Sequence, residues 1–122
     1  MSNSDQNVYL GYNELYFNEI VDKDLKGSIS SSERSYLVSN PAIWKSQLVC
    51  LKRRTEMQFT SSKARSFSLY REFSQGALPY PEYVDKLNKE KEWRCNAARF
   101  LQQIEIRIQE TKALNVNHNS TD

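Results

Sequence analysis

From Pro41 onward the apolar positions follow a helical rhythm. Trp44, Leu48, Leu51, Thr55, Phe59, Ser62, Ser66, Leu69 and Phe73 recur in steps of three and four, with neither Gly nor Pro between residues 42 and 74. Asn40-Pro41 suits the start of such a helix, because Asn can accept hydrogen bonds from free backbone N–H groups and Pro loses nothing at the first helical position. The run predicts one helix over about 41–74. Gly76 and the prolines at 79 and 81 then stop it, Gly76 offering a left-handed cap. A second stripe follows at Tyr83, Leu87, Trp93, Ala97, Phe100, Leu101, Ile104 and Ile108. Glu82/Lys86, Asp85/Lys89 and Glu90/Arg94 are acid-before-base pairs four residues apart that favour a helix over about 81–114.

Two long helices joined by a short turn pack antiparallel. Centring the turn on Ala77 or Leu78 places level those residues whose numbers sum to about 155. Phe59 is then expected opposite Ala97, and Trp93 opposite Ser62 and Ser66, large side chains against small. Arg65 falls level with Glu90 and Glu92, so some basic residues of the first helix are expected to pair across the hairpin.

The first forty residues are aromatic and acidic. Val8 to Leu25 reads as a helix ending near Gly27, with a strand as the alternative because of Gly11 and the density of rings. Ser30 and Glu33 have the spacing of a capping box, which predicts a short helix containing Tyr36 and Leu37. The polar segment 115–122 is expected to be disordered. The expected fold class is all-α: a single domain over 1–114, in which a long antiparallel hairpin (about 41–74 and 81–114) carries the 1–40 segment packed on it.

Composition narrows the chemistry. The chain of 122 residues has three Gly and three Pro, too few for the turns of a sandwich or barrel. Its net charge of +2 is unevenly spread: residues 1–40 stand at −3, residues 41–79 at +5. The polar start and the lack of a long apolar run predict a cytoplasmic protein with no membrane span. Cys50 and Cys95 fall about 15 Å apart in the expected register, too far for an intrachain disulfide, and are expected to be small, buried or half-buried side chains. With one histidine, His118, in the polar tail and no phosphate-cradling glycine loop, neither a metal site, a cofactor nor an enzyme's nucleophile and base is expected.

Two binding surfaces remain. Tyr9, Tyr12, Tyr16 and Phe17 make a candidate protein interface, since tyrosine buries a ring while its hydroxyl stays satisfied; the competing expectation is that these rings pack onto the hairpin of their own chain. Lys52, Arg53, Arg54, Lys63 and Arg65 make a candidate nucleic-acid contact. The hairpin layout, with Tyr70-Arg71-Glu72-Phe73 just before Gly76, resembles the phage recombination-mediator proteins that load recombinase onto single-stranded DNA, and that resemblance implies no particular contact residue here. The primary expectation is a non-enzymatic helical adaptor, inhibitor or assembly factor that binds another protein or copies of itself. Accessory nucleic-acid binding is the alternative.

Overall fold

The computed structural model describes residues 14–120, with side chains as far as residue 114. Four helices follow in order: α1 (Glu14–Lys26), α2 (Ser31–Val38), α3 (Pro41–Ser74) and α4 (Tyr80–Ser120), with no strand among the described residues. The fold is the all-α hairpin of α3 and α4 with short N-terminal helices packed on it. The strand alternative does not hold for residues 14–26; residues 8–13 of the expected first helix lie outside the described residues. α4 continues to Ser120, past the end expected near Leu114, while residues 121–122 lie outside the described residues.

Local chemistry accounts for each boundary. α1 ends on Gly27 at φ 78°, where Ser28 N–H bonds to Lys23 C=O at 2.9 Å and Gly27 N–H to Asp24 C=O at 3.1 Å, a left-handed cap that glycine adopts without a Cβ penalty. α2 begins with a complete capping box: Glu33 N–H donates to Ser30 Oγ at 3.2 Å, and Ser30 N–H donates to Glu33 Oε1 at 3.0 Å. α3 ends at Gly76, φ 81°, with Ala77 N–H on Glu72 C=O at 2.9 Å. Asn40 plays a different part from the one expected. Its Nδ2 donates to Tyr36 C=O at 2.7 Å, so the side chain closes the end of α2, and its backbone carbonyl accepts from Trp44 N–H at 2.9 Å at the start of α3.

The chain groups into two compact units: residues Met1–Val49 with Ile106–Asp122, and residues Cys50–Glu105. The first has a dense apolar core. Phe17, Ile20, Leu37, Trp44 and Leu48 are fully buried, joined by Val21, Leu25 and Ile108. Tyr36 lies against Phe17, with ring centroids 5.5 Å apart. Two polar side chains sit inside: Thr111, whose hydroxyl donates to Ile108 C=O at 2.7 Å, and Asp24, 2 % exposed, which accepts from Arg34 Nη1 at 3.0 Å and from Arg107 Nε at 2.8 Å. Arg34 also pairs with Glu110 and lies over the Trp44 ring at 5.9 Å. A single buried carboxylate thus ties α1 to both α2 and α4, and a charge so enclosed is tolerable only because both oxygens are paired.

The second unit is a two-helix arm with a leaner interior. Thr55, Ser62, Leu78, Ala97 and Ile104 are its buried residues. Thr55 satisfies its hydroxyl on Leu51 C=O one turn back, at 2.8 Å. The level pairs match the expected sum closely, with Lys52 on Glu105, Ser62 on Glu90, and Arg65 on Glu90. The occupant of the middle layer is a correction. Trp93 is 36 % exposed, and it is Arg94 whose Nη1 enters between Ser62 and Ser66, donating to Ser62 C=O (3.1 Å), Ser62 Oγ (2.9 Å) and Ser66 Oγ (2.7 Å). A guanidinium, with several N–H donors, can serve the Ser62 carbonyl and both serine hydroxyls at once, whereas an indole has a single N–H to offer them. The two cysteines are free, as the expected register requires, but both are exposed and not buried or half-buried.

Candidate interaction surface

The basic residues of α3 divide by environment. Lys52 Nζ meets Glu105 Oε1 at 3.0 Å, and that hydrogen bond, with the carboxylate's charge, raises the Lys52 pKa. Arg65 makes a two-pronged pair with Glu90, Nε to Oε2 at 2.9 Å and Nη2 to Oε1 at 3.1 Å. The Arg65 hydrogen bonds, and a further one from Ser62 Oγ at 2.7 Å, hold the Glu90 carboxyl below its ordinary pKa. Glu90 therefore does not pair with Arg94 along its own helix, although Glu82/Lys86 and Asp85/Lys89 do form their four-apart pairs, at 3.5 and 3.2 Å. Arg53 and Arg54 are exposed, as is Lys63, whose Nζ lies 5.1 Å from the Phe59 ring centroid. Three of the five candidate phosphate contacts are thus exposed and, among the described residues, outside any ion pair, and two are already answered by carboxylates.

The aromatic candidates divide as well. Phe17 belongs to the core of the first unit, not to a surface. Tyr16 is 45 % exposed and packs one side of its ring against Tyr36, centroids 5.8 Å apart. Tyr9 and Tyr12 lie outside the described residues.

A stronger exposed aromatic group lies near the turn of the arm. Phe73 stacks face to face on Tyr83, centroids 4.7 Å apart and planes at 6°, while Tyr80 tilts against Phe73 at 5.6 Å and Tyr70 against Tyr83 at 6.5 Å. Tyr70, Tyr80 and Phe67 nevertheless keep more than half their surface in solvent, and the Arg71 guanidinium lies 5.6 Å from the Phe67 ring centroid. Tyrosine, phenylalanine and arginine are residue types favoured where proteins bind one another. The signal was present in the sequence as five rings at 67, 70, 73, 80 and 83 on either side of the turn.

Among the described residues no group of three or more His, Cys, Asp or Glu is placed to hold a metal ion, and no helix is long and apolar enough to cross a membrane. Comparison with protein families, with characterised proteins and with solved structures gives no match to this chain.

Proposed function

We propose that this protein is a non-enzymatic interaction module that binds another protein through the two-helix arm. The observation that carries the reading is the exposure of Met57, Phe67, Tyr70 and Tyr80 on an arm whose inward stripe is already occupied by its own two helices. Apolar side chains of this size, with arginine beside them, are the usual material of binding hot spots. Two free, exposed thiols suit a reducing, cytoplasmic setting.

The reading is tested by placing a photoreactive amino acid singly at Met57, Phe67, Tyr70, Tyr80 and Trp93, with the solvated Lys91 as control, in cells that make the protein. The expected result is a discrete adduct to the same protein from several of these positions and none from Lys91. Equal, diffuse labelling from all six positions would refute the reading. Nucleic-acid binding is the second reading, supported by the free exposure of Arg53, Arg54 and Lys63. It predicts oligonucleotide affinity that falls steeply with salt as counterions are released.

A further inference from the structure

The outward face of α3 carries a second regular row, independent of the stripe that faces α4. Arg53, Met57, Thr60, Ala64, Phe67 and Arg71 follow in steps of four, three, four, three and four, and all are exposed. Such spacing is the seam on which one helix accepts another. The row has a shape suited to this: the small Thr60 and Ala64 lie between the larger Met57 and Phe67, so a second backbone can approach closely at its middle. It spans about five turns, on the order of 27 Å.

Charge selects the occupant. Arg53 and Arg71 close the row at its ends, and Arg54 and Lys63 flank it, with Glu56 and Glu72 the two acids beside these four cations. Among the described residues, none of these four cations forms an ion pair. A second copy of the chain would set this cationic face against itself. In an antiparallel pairing centred on the row, Arg53 of one copy meets Arg71 of the other, and in a parallel pairing each arginine meets its own counterpart. Like charges across a helix seam oppose association. A nucleic-acid strand would satisfy the cations but leave Met57, Ala64 and Phe67 along the axis of contact without apolar partners.

We infer that the outer face of α3 between Arg53 and Arg71 is the docking seam for one amphipathic helix of a partner protein, with apolar residues at its seam and acidic residues on its flanks. The inference rests on the arm being a protein-binding element, and specifies which face binds and what chemistry it takes.

The test uses the whole chain and two synthetic, hydrocarbon-stapled helices of about 21 residues with leucine along the seam, one flanked by glutamate and one by lysine. Fluorescence anisotropy should give binding of the glutamate peptide at least tenfold tighter than the lysine peptide. Ala64→Glu with Phe67→Glu, both on exposed positions, should weaken the glutamate peptide at least tenfold while circular dichroism stays unchanged. Arg53→Glu with Lys63→Glu and Arg71→Glu should reverse the preference. Equal binding of the two peptides, or indifference to the seam substitutions, overturns the inference. So does a 20-nucleotide single strand that binds the chain more tightly than the glutamate peptide, or a wild-type dimer in sedimentation that dissociates on Ala64→Glu. Crosslinks to a partner from Tyr80 and Trp93 but not from Met57 or Phe67 would sink the seam while leaving the protein-binding reading intact.

Discussion

The two units bury very different things. The first encloses Phe17, Leu37, Trp44 and Leu48 with a single carboxylate, held by two arginines, at its centre. The second, made from two helices, encloses Thr55, Ser62 and Ala97 and lays an arginine across a serine layer. The contrast shows what a third layer of helix contributes: with α1 and α2 present, several large side chains are covered on every side, whereas in the helix pair Ile104 is the one large side chain fully covered. Charge divides the same way. Residues 50–105 carry eleven Lys or Arg against seven Asp or Glu, while the remainder carry six against eight. Four of the eight acids of the first unit, Asp22, Asp24, Glu33 and Glu110, are spent on its own cations.

Truncation at the two sites should separate the units most sharply. Phe17→Ala, in the dense core, is expected to cost about 3–5 kcal/mol by urea denaturation, the range for emptying a buried aromatic site. Asp24→Asn should cost about 3 kcal/mol, since it leaves Arg34 and Arg107 facing a neutral group inside the first unit; a loss under about 1 kcal/mol would show that the carboxylate is not the junction described. In the arm, Ser62→Ala removes one acceptor from Arg94 and one donor from Glu90, and about 1 kcal/mol is expected. Trp93→Ala should change the unfolding free energy by no more than about 0.5 kcal/mol, as for a surface position. A large loss there would mean that the indole, not Arg94, fills the serine layer.

The smallest expected effect is on acid stability. Backbone and side-chain hydrogen bonds from Ser30 and Lys23 hold the Glu33 pKa down from 4.5 to about 2. A carboxyl depressed in the folded state stabilises fully above its unfolded pKa, and that contribution is lost as pH falls through the folded value. Stability measured from pH 5 to pH 2 should therefore decline, and Glu33→Gln should flatten part of the decline. An identical pH profile in the variant would show that the capping box does not persist in solution.

Much of this was legible beforehand because helical spacing is strict. All nine stripe positions of α3, from Trp44 to Phe73, lie on its covered side, and the level pairing of Arg65 with Glu90 followed from the turn alone. Trp93 was misjudged because its hydrophobicity outweighed its spacing. Steps of four and three from Tyr83 run through Leu87, Glu90, Arg94, Ala97, Leu101, Ile104, Ile108 and Thr111, and every one of these is covered, polar members included. The period carried the information and the residue type misled. The aromatic segment was harder to place, since a ring at Phe17 or Tyr16 suits a core and an interface equally; only the third dimension separates the buried Phe17 from the exposed Tyr16. The outer row of α3 was hidden for the opposite reason. Its Thr60 and Ala64 are unremarkable until the inward stripe has been assigned and the leftover face can be seen as continuous.

The first unit is also divided along the chain, since its core needs both the opening residues and those beyond 105, whereas the arm is one uninterrupted stretch. During synthesis the N-terminal end emerges first and domains fold as their residues become available. Asp24 must then wait for Arg107, and the core of Phe17, Ile20 and Leu37 for Ile108, until the residues just beyond 105 have left the ribosome. The arm can close earlier, so the large side chains of the dense core are the last to find shelter, and the nascent chain passes through a stage in which they are open to chaperones or to misassembly.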